Sequence, residues 1–155
     1  MMIMTKEMYD EAMEKIGYVI QFTPCCNPRE FHTYGMMDNF NRYELQMRIN
    51  ISPEDINYIM NHIAQHYIKQ NIPTRTEVYQ LEQLNNQKII MKYTLDSERN
   101  VVIRAILCDK NGLFPWNEGC DPGFKVQWSD EDDQNYTNIV HLISQYGFEK
   151  VKQVR

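Results

Sequence analysis

The segment that most constrains what this chain can fold into begins at Ser52. Ser52, Pro53 and Asp55 fit the N-cap, the first and the third positions of a helix. There a hydroxyl accepts from a free amide, a fixed φ suits the first turn, and a carboxylate favours the positive end of the helix dipole. Behind this start Ile56, Ile59, Ile63 and Tyr67 recur at three and four residues, giving one apolar stripe on a helix that should end before Pro73. A helix with a single apolar stripe has to lay it against another element.

The rest of the sequence predicts a sheet as that element. Residues 18–22 are β-branched and aromatic, and two prolines and an asparagine in residues 23–28 break the run. Residues 31–36 and 43–49 are further apolar-rich runs, separated by Asp38, Asn39 and Asn41, so the three runs predict a meander. Val78, Leu81 and Leu84 sit in a strand-like stretch, and residues 89–95 form another, with Asn85 and Asn86 as the turn between them. Residues 101–108 predict one more strand, closed by the turn signal of Asp109, Lys110, Asn111 and Gly112.

Helices are predicted at both ends. Thr5 caps a short one in which Met8, Ala12 and Ile16 recur and which Gly17 stops; the other carries Ile139, Leu142, Ile143 and Tyr146 over residues 136–146. Gly147 is placed to supply a left-handed C-terminal residue, and the acidic run 130–133 to solvate the chain and favour the helix N-terminus. The expected fold class is α+β: a mainly antiparallel sheet with one major helix on a face and short N- and C-terminal helices. At 155 residues without an internal linker the chain reads as a single domain.

Charge narrows the partners. A formal charge of −5 opposes binding to a phosphate backbone, so no nucleic-acid partner is expected. No apolar run reaches the length of a membrane span, so no membrane partner is expected either. Residues 1–9 carry Lys6 and Glu7 without a continuous apolar stretch, which argues against a secretory signal and for a cytoplasmic protein. Cys25, Cys26, Cys108 and Cys120 show no Cys-x-x-Cys spacing and read as reduced thiols. His62 and His66 have the helical spacing of a zinc pair, but they flank the apolar stripe, and the acidic run lacks the glycine and terminal glutamate of a calcium loop. No metal and no cofactor is expected.

Three segments in order carry a family resemblance. Residues 106–112, Ile-Leu-Cys-Asp-Lys-Asn-Gly, run into residues 113–122, Leu-Phe-Pro-Trp-Asn-Glu-Gly-Cys-Asp-Pro; upstream stand Phe-His-Thr-Tyr-Gly-Met at 31–36 and Tyr-Glu-Leu at 43–45. This pattern resembles the uncharacterised bacterial family catalogued as domain of unknown function 4262, over roughly residues 17–127, leaving 129–155 as an extension. His32, Tyr43 and Cys108 depart from that family's usual aromatic, proline and tryptophan. The resemblance implies a fold and a set of suspect residues, and no activity.

Two sites follow as expectations. Trp116, with Glu118 and Asp121 beside it and Tyr34 on a neighbouring strand, is a candidate binding surface, in which a rigid loop presents an indole and carboxylates to a small polar ligand. The alternative is that Trp116 plugs the open end of the sheet. His32 and Glu44 are candidate catalytic residues, an imidazole acting as general base beside a carboxylate, with Asp121 as a possible third member. Alternation along a strand puts His32 and Tyr34 on one face and Thr33 on the other. The leading expectation is a non-catalytic cytoplasmic binding module for a small molecule or a partner protein, its site lying where the 114–121 loop approaches the 32–34 strand. A metal-independent hydrolase and a structural subunit of a homo-oligomer are the alternatives.

Overall fold

The computed structural model describes residues 5–23, 27–69, 77–80, 82–85 and 87–154. Pro24, Cys25, Cys26, Pro73, Leu81 and Asn86 lie outside them. Among the described residues, six strands form one mixed, mostly antiparallel sheet: β1 (Val19–Thr23), β2 (Glu30–Tyr34), β3 (Leu45–Arg48), β4 (Glu77–Gln80), β5 (Lys88–Leu95) and β6 (Val101–Leu107). Their order across the sheet is β1-β2-β3-β6-β5-β4. The meander is present, with Val19 opposite Tyr34 and Phe31 opposite Met47. The second half adds to it through a parallel pairing, Leu45 beside Ile103 and Gln46 beside Arg104.

The chain between those two strands runs through α3 (Pro53–Lys69), β4 and β5, and α3 starts as its cap residues predict: the Asp55 amide donates to Ser52 Oγ at 3.2 Å. Ile56, Met60, Ile63, Ala64 and Tyr67 are fully buried in the core with Phe31, Leu45, Met47, Met91, Tyr93 and Ile103. Ile59 is only half-buried. At about 100° per residue the stripe is centred between Ile56, Met60, Ile63 and Tyr67, leaving Ile59 at its flank, so the expected stripe is corrected by Met60 and Ala64. Each fully buried large apolar side chain contributes roughly 1.5–3 kcal/mol.

Elsewhere the local signals and the structure differ in instructive ways. α1 (Lys6–Lys15) is capped by Thr5, whose Oγ1 accepts from Met8. β2 stops at Tyr34 because Gly35 turns the chain at φ 103°, and a Cβ there would lie 2.5 Å from the Gly17 carbonyl oxygen. A short helix, α2 (Met36–Phe40), replaces the expected end of the strand. After β6 come α4 (Pro122–Lys125) and α5 (Asp130–Tyr146). α5 is not short: with 17 residues it equals α3 in length, because Ser129 and Asp132 form a capping box that starts it inside the acidic run. Gly147 does take a positive φ of 83°, but with ψ 152° it is extended, not left-handed helical. Among the described residues, no helix is long and apolar enough to cross a membrane.

Candidate functional site

The pairing register lays a polar row across four central strands. His32 of β2 faces Gln46 of β3, Gln46 pairs with Arg104 of β6, and Arg104 with Lys92 of β5. These residues share the face of the sheet opposite α3, since the intervening positions Phe31, Met47, Ile103 and Tyr93 are in the core beneath.

Arg104 is the buried centre of the row, 2% exposed. Its Nε and Nη2 donate to Gln46 Oε1 at 3.0 and 2.7 Å, and its Nη1 donates to the Gln127 carbonyl at 3.1 Å and to Asp132 Oδ2 at 2.7 Å. Asp132 also accepts from Thr94 Oγ1 at 2.6 Å and from the amide and hydroxyl of Ser129. Burial raises the Asp132 pKa, but Arg104 and the Thr94 and Ser129 hydrogen bonds outweigh it and hold the carboxyl below its usual range. Gln127 bonds the edge of β6 as a strand would: its side chain accepts from the Leu107 amide and donates to the Leu107 carbonyl. The network ties α4 and α5 to the sheet with its buried charge paired, as burial requires.

Lys92, next in the row, stands among three rings. Its Nζ lies 4.7 Å from the Trp116 ring centroid, 4.7 Å from that of Trp128 and 4.6 Å from that of Tyr136. These are cation–π distances. Trp128 Nε1 donates to Asp133 Oδ1 at 2.7 Å, which fixes that indole. Burial lowers the Lys92 pKa, and Asp133 and Asp132 pull it back up.

Trp116 is held there by its loop. Asp109 accepts from the amides of Asn111 and Leu113 through Oδ1 and from that of Asp121 through Oδ2, each at 2.9 Å. The Asp121 and Leu113 amides keep its carboxyl below the usual range. Asn117 Oδ1 accepts from the Phe114 amide, and the Phe114 and Trp116 rings stack at 5.4 Å. Phe114, not Trp116, fills the apolar space beside Ile90, Ile106, Cys108 and Trp128. Trp116 itself is 45% exposed, so the plug reading is corrected: the indole covers Lys92 and shows the rest of its surface to solvent.

The other expected residues are placed differently. Asp121 is the N-cap of α4, its Oδ1 accepting from the Gly123 amide at 2.8 Å, and Glu118 is exposed. His32 and Tyr34 do share a face, with ring centroids 4.7 Å apart edge to face, and Thr33 points into the interior. Burial lowers the His32 pKa, Glu30 and Asp96 opposing.

Glu44 is not the partner of His32. Its Oε1 accepts from Thr33 Oγ1 and the Met36 amide, and its Oε2 from the Met37 amide, all within 3.1 Å. The carboxylate caps α2, and the proposed dyad is corrected to a structural cap. Burial raises the Glu44 pKa, with the Met37 and Met36 amides and Thr33 pulling it down. Nor does the Trp116 loop approach the 32–34 strand. Both are on one face, but Lys92 under Trp116 is three strands from His32, about 14 Å at ordinary strand spacing. The buried Arg104 network lies between them.

His62 packs against the Tyr58 ring. Among the described residues no group of three or more His, Cys, Asp or Glu is arranged to hold a metal. Cys108 and Cys120 are buried free thiols.

The residues that matter most here, Lys92, Arg104, Gln127, Asp132 and Tyr136, escaped the sequence reading. One signal was available: Lys92 and Arg104 each interrupt a strand that is otherwise apolar or uncharged, Ile-Ile-Met-Lys-Tyr-Thr-Leu and Val-Val-Ile-Arg-Ala-Ile-Leu. A charge inside a strand buried on both faces needs a partner, although the sequence does not name it.

Comparison with known proteins found no matching family model, no matching curated protein and no matching solved structure.

Proposed function

We propose that the protein is a non-catalytic binding module of the bacterial cytoplasm, recognising a small molecule or a partner protein through the surface formed by Trp116, Trp128, Tyr136 and Lys92. The observation that carries this reading is the Lys92 ammonium held within 4.7 Å of three aromatic ring centroids, beneath an indole that is 45% exposed. A half-exposed tryptophan fixed in place next to a positive charge is the kind of anchor on which recognition concentrates. Its loop is held by three hydrogen bonds to Asp109, so little ordering remains to oppose binding.

The hydrolase alternative is weakened because both oxygens of Glu44 are engaged by Thr33 and α2. For a structural subunit, the exposed large apolar residues among those described, Ile16, Tyr34, Tyr58, Val78, Trp116, Val126 and Tyr146, are spread over separate elements, which favours a local contact over a broad seam.

A thermal-shift screen of metabolites, nucleotides, sugars and peptides tests the proposal. A ligand at a hundred times its dissociation constant stabilises by about 2.7 kcal/mol. Hits should lose their shift in Lys92→Met and Trp116→Phe and keep it in His32→Gln. Hits that depend on His32 and ignore Lys92 would move the site to the β2 surface.

A further inference from the structure

We infer that the open edge of the sheet at β4 is a self-association surface, on which β4 of a second copy of this chain pairs antiparallel about a twofold axis at Val78.

β1 and β4 are the two edges of the sheet. Every residue of β1 is at least half-buried, whereas on β4 Val78 is 59% exposed and Gln80 is exposed as well. The ladder fixes which backbone groups of β4 reach the edge. The Cys108 amide donates to the Lys88 carbonyl and the Asp96 amide to the Asn100 carbonyl, so Lys88, Ile90, Lys92 and Thr94 are turned to β6, and Ile89 and Met91 to β4. The β4 residues opposite Ile89 and Met91 are Tyr79 and Glu77. Val78 and Gln80 therefore aim amide and carbonyl away from the sheet, and among the described residues no strand pairs with them. An edge of this kind is a template for one more strand, and β4 carries neither lysine nor proline to blunt it.

Two observations favour a second copy as that strand. In an antiparallel ladder every other opposed pair exchanges both bonds, each N–H donating to the carbonyl of the other. Val78 is turned outward, so it can make this exchange with its own counterpart, which makes the contact symmetric and closed. In that register Glu77 stands opposite Tyr79 of the second copy, and no like charges are directly opposed. The second observation is an apolar row. Val78 is opposite Ile90, and Ile90 is opposite Ile106. Opposed residues share a face, and Ile90 and Ile106 belong there to the cluster of Phe114 and Trp128. The row runs to the edge of the sheet and ends on an exposed valine. Twofold pairing joins two such rows, and each Val78 removes apolar surface of the other from water. A polar strand in the same place would leave the end of the row uncovered.

Sedimentation velocity of the full chain between about 1 μM and about 1 mM reads the association. The mean mass should rise with concentration toward that of two chains and stop there, because a twofold contact closes on itself. Amide exchange, read residue by residue, locates the contact. The Val78 and Gln80 amides should be protected at the high concentration and open at the low one, while the Tyr79 amide, turned to β5, is protected at both. Val78→Lys sets two ammonium groups against each other and should weaken the dimer at least about tenfold. Its urea midpoint should match the parent, since the side chain is exposed. A chain that stays monomeric throughout, a dimer that survives Val78→Lys, Val78 and Gln80 amides that stay open in the dimer, or a mass that grows past two chains would each overturn the inference. Should Val78→Lys fail to fold, the exchange pattern of the parent decides alone.

Discussion

Replacing Arg104 with methionine isolates the device that joins α5 to the sheet. In the native pair Arg104 Nη1 and Asp132 Oδ2 are 2.7 Å apart, with side-chain exposures of 3% and 8%. Methionine keeps much of the volume but leaves the Asp132 carboxylate buried with only Thr94 and Ser129 as donors, and it strips two donors from Gln46 Oε1. Breaking one side of a buried pair costs about 3–5 kcal/mol, a large share of the roughly 5–15 kcal/mol that holds a domain together. At roughly 2–4 °C per kcal/mol for a chain of this size, the melting temperature should drop by roughly 6–20 °C. The double variant Arg104→Met/Asp132→Leu removes both charges. It should recover most of the loss and stay about 1–2 kcal/mol below the parent, for the missing α5 cap. Urea denaturation followed by the emission of Trp128, whose ring lies 5.8 Å from the Arg104 guanidinium carbon, measures all three proteins. A single variant within about 1 kcal/mol of the parent, or a double variant as unstable as the single, would refute the reasoning.

Three further outcomes are expected. Ile63→Ala should destabilise by about 2–5 kcal/mol in chemical denaturation, and Ile59→Ala by clearly less, since Ile63 is fully buried and Ile59 is at the flank of the stripe. Asp132 and Glu44 should give opposite pH dependences. The folded pKa of Asp132 is depressed, so its contribution is present above the ordinary carboxylate range and is lost as pH falls through the folded value. That of Glu44 is raised, so its ionisation opposes folding, and stability should rise as pH falls through a window just above 4.5; urea midpoints between pH 4 and 7 for the parent and Glu44→Gln show whether this rise belongs to Glu44. Asp109→Asn should loosen the loop and shift the tryptophan emission to the red, because one amide oxygen cannot replace a carboxylate that accepts from Asn111, Leu113 and Asp121. Unchanged emission would mean that the loop holds Trp116 without Asp109.

What the sequence by itself determined is local. Thr5 and Ser52 mark helix starts, Asp109 to Gly112 a turn, and residues 18–22, 89–95 and 101–108 strands, because hydrogen bonding to the next few amides and the side-chain periods of helix and strand are settled within a few residues. The α+β class follows from those elements and their apolar faces. Tertiary structure alone decided the rest. The parallel pairing of β3 with β6 joins residues separated by α3, β4 and β5, and no local signal announces a partner at that distance. Glu44 and His32 looked like a dyad because they were close in sequence, yet the free amides at the start of α2 claimed the carboxylate first. Lys92 sat unremarked in an apolar strand until Trp116, Trp128 and Tyr136 converged on it from a loop, the approach to a helix and the helix itself. A buried charge is tolerated only where partners assemble around it, and those partners are brought together by the packing of α5 and the Asp109 loop on the sheet.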